Sequence, residues 1–387
     1  MQIVYAREAF PAAVTRSIFL AGPTPRSPEV PSWRPAAIAA LARLGFDGAV
    51  FVPEPRGGAW AAGYDEQIAW EEAGLHRADV ILFWVPRDMS TLPGLTTNIE
   101  WGVWSNSGKV VLGVPEGAAH VGYMLHYAQK HRAPVAHDLD GLAAAAIGLA
   151  GPGEHRSEGE CEVPLHVWRH PTFRAWYAAQ RRAGHRLVAA RVLWSYFAGP
   201  ERRFFFAWAL RVTIHIPGEG RNKSEVVIGR TDVASVVLYR PGQTLLDTEV
   251  VLVREVRIPA RTADGMVHEL PGGSAWDGEE PAESVARHEV EEETGFLPGA
   301  LRVLDGRQIA PTLLAHQAAL FAQEISEADV AAIRAGEGEA RGLAEDGERT
   351  YTEVRTVREL LADDRVDWST LGMILAAVTR AFEGQRA

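Results

Sequence analysis

Three glutamates near the carboxyl-terminal end of the chain are spaced for metal binding. If residues 283–293 form a helix, Glu289, Glu292 and Glu293 stand at positions i, i+3 and i+4, on one face and within about one turn. Their like charges repel, and a divalent cation would remove that repulsion. Because all the ligand atoms are hard oxygens, Mg²⁺ or Mn²⁺ would suit them best. The alternative interpretation of the same residues is a solvated acidic helix face.

The residues on either side of these glutamates favour phosphate chemistry. Pro271, Gly272 and Gly273 form a turn whose bare backbone can approach a phosphate closely. Pro281 can open the helix, and Gly295 can end it. The sequence therefore predicts a glycine-rich loop followed by an acidic helix.

From residue 271 to residue 296 the sequence resembles the Nudix box. That pattern is Gly, five residues, Glu, seven residues, then Arg-Glu-U-x-Glu-Glu-x-Gly-U, where U is apolar. Glu289, Glu292 and Glu293 stand at the metal-binding glutamates of the box. The resemblance implies a pyrophosphohydrolase dependent on Mg²⁺ or Mn²⁺, in which Glu292 and Glu293 are also catalytic and Gly273 contacts the substrate.

The chain departs from the Nudix box at two places. If Glu280 is the first glutamate of the pattern, six residues rather than five separate it from Gly273, and His288 replaces the arginine. If Glu279 is used instead, the first half fits and the second half is out of register. A one-residue insertion in the loop is the simpler account. In the family the arginine helps to orient the catalytic glutamate, so its replacement affects the rate more than the fold.

The region before the box supports the same interpretation. Residues 232–240 and 249–258 are rich in β-branched side chains and predict two strands. The sequence around Arg254 and Glu269 resembles the ADP-ribose pyrophosphatase branch of the Nudix family. This resemblance implies a substrate such as ADP-ribose and a glutamate base on a late loop, although a plain flexible loop is the alternative. The candidates for that base are Glu345 and Glu348.

Strands and helices alternate through the first third of the chain. The runs that carry this pattern are residues 17–21, 33–44, 49–52, 64–76, 79–85 and 109–114. The alternation predicts a doubly wound parallel sheet with crossover helices. Ligands of such sheets bind beyond the carboxyl ends of the strands. The polar or glycine candidates near predicted strand ends are Gly22, Thr24, Arg26, Arg87 and Asp88, with Asp79 at the opening end of its strand.

Residues 15–150 resemble the nucleoside 2-deoxyribosyltransferase family. The resemblance rests on Phe19-Leu20-Ala21-Gly22-Pro23, on the run from Arg77 to Leu82, and on Thr96-Thr97-Asn98-Ile99-Glu100-Trp101-Gly102. It implies that Glu100 is the nucleophile on the anomeric carbon and that Asp79 positions the sugar or helps to protonate the leaving base. The chemistry is reasonable, because a carboxylate stabilises an oxocarbenium-like centre or forms a glycosyl-enzyme there.

One segment departs from this family, and one expectation concerns assembly. The family has Asp-x-Gly-Thr just before the nucleophile, whereas this chain has Leu-Pro-Gly-Leu-Thr-Thr at residues 92–97. Asp88 or Asn98 would then take part in base recognition. The resemblance also implies a homo-oligomer built through residues 1–150. The aromatic candidates for that contact, or for the base pocket, are Trp101, Trp104, Tyr123 and Tyr127.

The composition fits two enzymes in one chain. With 387 residues, more than one domain is expected, and we predict domains at 1–150 and 201–387 joined by a linker and connecting helices at 151–200. The chain is 47% hydrophobic and 23% charged, so each half can bury a core. A formal charge of −11 argues against binding to a nucleic acid polymer. Small phosphorylated substrates remain compatible with it, because a metal supplies local positive charge.

The remaining predictions concern location and the middle of the chain. No signal peptide and no apolar run of about 18 residues is found, which predicts a cytoplasmic protein without a membrane partner. The single cysteine, Cys161, excludes an internal disulfide. The polar, glycine-rich residues 151–162 predict a linker. We expect residues 204–216 to form a β arm of the Nudix sheet.

Taken together, these patterns predict an α/β protein in which a doubly wound parallel sheet precedes an α/β/α Nudix fold with a mixed sheet. The predicted function is a bifunctional nucleotide-processing enzyme that acts on small nucleosides or nucleotides. Its two reactions are cleavage or transfer at an N-glycosidic bond, and metal-dependent hydrolysis of a nucleoside diphosphate-linked substrate. The alternative is a nucleotide sensor, in which one degenerate catalytic domain binds ligand only.

Overall fold

The computed structural model describes residues 1–25, 29–58, 65–276, 278–342 and 349–384. The chain divides into two compact units, Met1–Gly229 and Arg230–Ala387. The domain limits expected at 150 and 200 stay predictions, and the contacts place the division after Gly229. Among the described residues, no helix is long and apolar enough to cross a membrane.

A six-stranded parallel sheet forms the centre of the first unit. Its strands are β1 (Gln2–Tyr5), β3 (Ser17–Ala21), β4 (Ala49–Val52), β5 (Val80–Trp84), β6 (Val110–Gly113) and β7 (Val135–Ala136). Their order across the sheet is β1-β4-β3-β5-β6-β7, and every pair is parallel. The four inner strands, β3, β4, β5 and β6, are short apolar runs and are buried throughout, because helices cover both faces of a parallel sheet.

Five helices cover this sheet in two layers. They are α1 (Arg34–Arg43), α2 (Asp65–Arg77), α3 (Leu95–Trp104), α4 (Gly122–His131) and α5 (Leu139–Ala150). Side chains of α1 and α5 pack in one apolar core, and those of α2, α3 and α4 pack in the other. The doubly wound arrangement predicted from the sequence is therefore confirmed.

The residues after α5 belong to the first unit and are well packed. β8 (Arg156–Ser157) pairs with β2 (Ala13–Val14), and a 3₁₀ turn follows at Glu158–Glu162. The prediction of a plain linker at 151–162 is wrong, because Arg156 and Cys161 are buried within this packing. Two helices follow, α6 (Leu165–Trp168) and α7 (Pro171–Arg182).

A separate antiparallel sheet ends the first unit. It contains β9 (Arg186–Ala198), β10 (Phe204–Ile216) and β11 (Arg221–Arg230), in the order β11-β10-β9. The expectation that residues 204–216 would join the Nudix sheet is therefore wrong. The physical reason is that β10 has β9 along one edge and β11 along the other, which satisfies its backbone hydrogen bonds within this sheet.

The second unit has an eight-stranded mixed sheet. Its strands are β12 (Val233–Arg240), β13 (Glu249–Val256), β14 (Met266–Glu269), β15 (Gly272–Gly273), β16 (Arg302–Val303), β17 (Arg307–Gln308), β18 (Gln317–Glu324) and β19 (Thr350–Thr356). β12 and β18 are parallel, whereas β13 pairs antiparallel with β12, β14 and β19. The predicted mixed sheet is confirmed.

Helices cover both faces of the mixed sheet as well. They are α8 (Ala282–Thr294), α9 (Glu327–Ala335), α10 (Val357–Ala362) and α11 (Trp368–Gly384). Residues of α8 and α9 pack in one core, and residues of α10 and α11 pack in the other. The helix predicted at 283–293 is α8, so the acidic segment is placed on one face of the sheet.

Candidate active sites

Glu100 lies in the middle of α3, the helix that follows β5. The helix starts after Gly94, whose φ of 58° is in the left-handed region that glycine adopts without strain. The carboxyl group of Glu100 is partly buried and lies near Glu71 of α2 and Arg34 of α1. Burial, and then the charge of Glu71, raise the pKa of Glu100 to about 8, and Arg34 opposes this rise. The carboxyl group can therefore change its charge close to neutral pH.

Arg34 fixes the backbone at the carboxyl end of β3. Its buried guanidinium donates to the carbonyl oxygens of Leu20 at 3.1 Å and Gly22 at 2.9 Å, and to the hydroxyl of Thr24 at 3.2 Å. It also forms an ion pair with Glu54. Two predicted binding residues, Gly22 and Thr24, are thus held in place by Arg34. Their contact with a substrate stays a prediction.

Gly22 must lack a side chain for the loop to take this path. Its φ is 145°, and a Cβ atom there would lie 2.1 Å from the carbonyl oxygen of Trp84 at the end of β5. The backbone after β3 therefore lies directly against the end of β5. This contact sets the wall of the site at the carboxyl edge of the sheet.

Glu71 is a second carboxyl group at this edge, and the sequence interpretation did not single it out. Gln67 donates to Glu71 Oε1 at 2.7 Å and to the carbonyl oxygen of Pro53 at 3.2 Å. Burial raises the pKa of Glu71, while Gln67 and Arg34 oppose the rise. Of Arg34 and Glu71, only Arg34 gave a usable signal in the sequence. It is a charged residue whose helical spacing places it on the same face of α1 as three apolar residues, and that face is buried.

Asp79 does not belong to the Glu100 site, which corrects the sequence prediction. It precedes β5 and therefore lies at the amino edge of the sheet, opposite the edge formed by Gly22 and Arg34. Arg156 donates to both of its carboxylate oxygens, at 2.8 and 2.7 Å. Ser17 and the backbone N–H of Leu165 donate as well. Asp79 is buried in a saturated network, so it cannot position a sugar or protonate a base.

Asp88 and Asn98 each have hydrogen-bond partners within the first unit. Asp88 Oδ1 accepts from the backbone and hydroxyl groups of Ser90 and Thr91, which lower its pKa to about 2. Asp88 closes its own turn through Oδ1, and its expected role in binding the base stays a prediction. Asn98 Oδ1 accepts from Arg87 at 2.5 Å, and two residues along a helix do not face each other, so Asn98 and Glu100 point apart. Arg26 lies outside the described residues.

The aromatic candidates of the first unit fall into two groups. Trp101 and Trp104 are buried in the core between α3 and the sheet, so their expected role in a subunit contact is corrected. Tyr123 and Tyr127 are exposed on α4. Only these two tyrosines are accessible to another subunit or to a ligand.

In the second unit, the glycine loop and α8 bring several carboxylates together. Glu293 is buried at the end of α8, and its Oε2 accepts from the backbone N–H of Gly272 at 2.9 Å. Burial raises the pKa of Glu293, and the negative charges of Glu289, Glu269 and Glu255 raise it further, against the Gly272 hydrogen bond. Glu255 of β13 and Glu269 of β14 were not among the predicted site residues.

Gly273 lies directly against Glu289. A Cβ atom at Gly273 would be 1.9 Å from Glu289 Oε1, so only a bare backbone fits between the loop and this carboxylate. The predicted substrate residue Gly273 and the predicted metal ligand Glu289 are thus neighbours. Gly295 ends α8 with a φ of 70°, as the sequence predicted.

The donor atoms at this place suit a hard divalent cation. Like charges around a buried carboxyl group are costly, and a cation would lower that cost. Within the described ranges, no three His, Cys, Asp or Glu side chains lie together as a group that could hold a metal ion. The expected joint role of Glu289, Glu292 and Glu293 in metal binding stays a prediction.

His288 pairs with Glu280 on the exposed side of α8. The distance from His288 Nδ1 to Glu280 Oε1 is 3.3 Å. With a one-residue insertion in the loop, Glu280 stands at the first glutamate of the Nudix pattern and His288 stands at its arginine. The contact between them supports the alignment with that insertion. Glu345 and Glu348, the candidates for a late-loop base, lie outside the described residues.

Comparison with known proteins finds a family match for each unit. The family model described as nucleoside 2-deoxyribosyltransferase like matches residues 15–118, and the NUDIX domain model matches residues 229–365. Among solved structures, the chain is similar to a crystal structure of an ADP compounds hydrolase, with 16% identity, a TM-score of 0.33, and coverage of 52% of this chain and 97% of that chain. The comparison with curated proteins finds no match. The chain thus carries a nucleoside 2-deoxyribosyltransferase-like domain followed by a NUDIX domain.

Proposed function

We propose that this chain is a bifunctional nucleotide-processing enzyme of the cytoplasm. Its NUDIX domain hydrolyses a nucleoside diphosphate-linked substrate such as ADP-ribose, with Mg²⁺ or Mn²⁺. Its first domain cleaves or transfers at an N-glycosidic bond through Glu100. The observation that carries the proposal is the buried Glu293 beside Gly272, surrounded by further carboxylates within a NUDIX domain.

In the NUDIX domain, Glu289, Glu292 and Glu293 would hold the cation. When bound there, a divalent cation supplies the charge that neutralises the diphosphate and activates water. The N–H of Gly272 orients Glu293, and the bare backbone of Gly273 leaves room for the diphosphate beside Glu289. The products of ADP-ribose hydrolysis would be AMP and ribose 5-phosphate.

In the first domain, a carboxylate oxygen of Glu100 forms a bond to the anomeric carbon. The bond from that carbon to the base breaks, and the base leaves with the electron pair and takes up a proton. Glu100 attacks as the carboxylate, and the proton that its raised pKa holds near neutral pH can pass to the neighbouring Glu71 and from there to the leaving base. Water, or a second base, then attacks the anomeric carbon and releases Glu100. Water gives hydrolysis, and a second base gives transfer.

The metal-dependent reaction is tested with the whole chain and a panel of nucleosides, nucleotides, NAD and ADP-ribose, with products identified by mass spectrometry. Glu293→Gln should lower diphosphate hydrolysis on the order of 10²-fold or more, because it removes a charge from the ligand set. Glu283→Gln is the matched control on the exposed first turn of the same helix. Full hydrolysis in EDTA would contradict the proposal.

The glycosidic reaction is tested in the same panel. Glu100→Gln should abolish release of the base and leave diphosphate hydrolysis intact, and base release should need no metal. A 2-fluoro-sugar nucleoside should leave a glycosyl adduct on Glu100 if the nucleophile is covalent. The exposed Glu116 provides the control Glu116→Gln. Undiminished base release by Glu100→Gln would remove the first domain from catalysis.

The second candidate function is a nucleotide sensor. His288 in place of arginine, and the altered segment at residues 92–97, favour it. A sensor would bind members of the panel without turning them over at one of the two domains. Saturable binding at a domain that forms no products, with and without Mg²⁺, would support the sensor and reject the bifunctional enzyme.

A further inference from the structure

A recess in the first unit is lined by three arginines, a histidine and an asparagine, together with apolar residues. Its volume is about 310 Å³. We name it the arginine recess and define it by Asn106, His131, Arg132, Phe197, Arg202 and Arg203. It combines residues from the end of α4, from the turn between α3 and β6, and from the connection between β9 and β10.

The arginine recess lies away from the Glu100 site. Asn106 precedes β6, and His131 is the last residue of α4, so both lie at the amino edge of the parallel sheet. Arg34 and the backbone of Gly22 mark the opposite, carboxyl edge. A ligand in the recess would therefore occupy a second place on this unit, and no step of the proposed glycosidic reaction uses it.

The charges of the recess are unusual for this chain. The whole protein has a formal charge of −11, yet three arginines meet here. One nearby carboxylate, Glu201, pairs with Arg132 at 2.9 Å and lies 3.9 Å from Arg203. Three positive charges against one negative charge leave a net excess of two. All three arginine side chains are exposed to solvent, so their guanidinium groups are accessible to a ligand.

The hydrogen-bond pattern adds a further donor. Arg202 Nη1 lies 3.3 Å from His131 Nδ1, and because arginine can only donate, Nδ1 accepts and Nε2 carries the hydrogen. Burial and the charges of Arg202 and Lys130 lower the pKa of His131, which keeps the imidazole in this neutral form. The recess thus offers arginine N–H groups, an imidazole N–H and the amide of Asn106.

One wall of the recess is apolar and closely packed. A Cβ atom at Gly108 would lie 2.1 Å from the ring of Phe197, so the ring rests directly on this glycine. Leu149 completes the apolar side. Apolar side chains together with a cluster of cationic donors fit a small molecule with an anionic head, and the acidic charge of the rest of the chain disfavours a nucleic acid polymer.

We propose that the arginine recess is a binding site for a small phosphate- or diphosphate-bearing ligand. Guanidinium groups bind phosphate oxygens in bidentate fashion, which makes arginine the residue suited to this role. The ligand's phosphate would contact Arg202 and Arg203, and its apolar part would lie against Phe197. The site goes beyond the proposed function, because neither reaction requires it.

The test uses the full-length chain and inorganic pyrophosphate as the probe, by isothermal titration calorimetry in metal-free buffer. Without a divalent cation, the acidic NUDIX site repels the probe. Arg202→Gln combined with Arg203→Gln should weaken binding at least about tenfold, because charge-assisted hydrogen bonds are lost. The matched control is Arg181→Gln with Arg182→Gln, two exposed arginines of α7 outside the recess, and it should stay within about twofold.

A third variant should change the affinity for pyrophosphate in the opposite direction. Its result does not depend on the stability of the double mutant. Glu201→Gln removes the nearby carboxylate and should tighten pyrophosphate binding, which a purely structural role of the loop would not do. Absence of saturable binding to the wild-type chain would overturn the proposal. Equal losses in both double variants, or binding of a single-stranded oligonucleotide without binding of pyrophosphate, would overturn it as well.

Discussion

At the scale of single residues, the burial of Glu100 makes the stability of the protein depend on pH. Its folded pKa of about 8 lies above the ordinary value of 4.5. The stability that comes from protonated Glu100 is therefore complete below about pH 4.5 and is lost as the pH rises through 8. Above that range the folded protein must hold a partly buried negative charge next to Glu71.

We therefore expect Glu100→Gln to stabilise the protein at alkaline pH. The neutral amide avoids the cost of the charge, so the free energy of unfolding should rise by up to about 5 kcal/mol at pH 9 and change little at pH 4.5. Urea unfolding of both proteins at the two pH values measures the difference. Equal effects at both pH values would contradict the assigned pKa of Glu100.

Asp79 is important for the fold, and its expected role in catalysis does not fit its surroundings. Asp79→Asn leaves Arg156 buried without its full counter-charge, so the free energy of unfolding should fall by about 3–5 kcal/mol. The control Asp88→Asn, in an exposed turn, should have a small effect. Base release per folded molecule should be unchanged in Asp79→Asn. A loss of base release without a loss of stability would restore Asp79 to the active site.

The residues of the two sites could be predicted to different degrees. Glu289, Glu292 and Glu293 stand in one short segment, so the helical period alone placed them on one helix. Arg34, Glu71 and Glu100 come from three helices, and no spacing along the chain connects them. These three residues lie close together because of the order of the parallel strands in the sheet. The alternation of strands and helices predicts the class of sheet but not that order.

At the scale of elements, apolar strands were the most predictable features. Residues 17–21 and 49–52 form β3 and β4 with the predicted bounds, because buried parallel strands are continuous apolar runs between turns. The neighbours of a strand within its sheet could not be predicted from the sequence in the same way. β10 has the apolar sequence of a core strand, but its neighbours β9 and β11 determine which sheet it joins.

The polar segment at 151–162 shows a second limit of sequence reasoning. Its composition is that of a linker, yet Arg156 donates to Asp79, 77 residues earlier in the chain, and to the carbonyl oxygen of Val163. A buried charge in a polar segment looks like a surface charge until its partner is known. The local composition of a segment does not predict long-range ion pairs of this kind.

The close contact between the glycine loop and Glu289 of α8 leads to a prediction about the Mg²⁺ dependence of hydrolysis. Gly273→Ala should push the end of the flexible Glu289 side chain aside and leave the fold intact, since only that side chain must move. We expect diphosphate hydrolysis at fixed Mg²⁺ to fall about 10–100-fold, with a higher Mg²⁺ requirement. A Mg²⁺ titration of activity measures both.

The matched control for this change is Gly372→Ala in α11. A Cβ atom there meets open space, and alanine favours a helix, so activity should be unchanged and stability slightly raised. If Gly273→Ala kept the wild-type Mg²⁺ dependence, Glu289 would not be a metal ligand.

At the scale of the whole molecule, the exposed apolar residues of the first unit support the assembly that the deoxyribosyltransferase resemblance implies. α3 exposes Leu95, Ile99 and Val103, which recur every four residues and so form a stripe along the helix. Tyr123 of α4, on the same face of the sheet, is 82% exposed. Exposed apolar side chains on two helices that cover one face of a sheet are typical of an interface between subunits.

We expect the wild-type chain to be a homo-oligomer at micromolar concentration and the combined change Ile99→Lys and Tyr123→Lys to dissociate it, because two charges would be buried in the contact. Light scattering coupled to size-exclusion chromatography measures the mass. Base release should fall in the monomer, and diphosphate hydrolysis should be retained. The control Ile258→Lys, at a 92% exposed residue of the second unit, should keep both the mass and the two activities. A wild-type chain that is strictly monomeric with full base release would contradict assembly through this face.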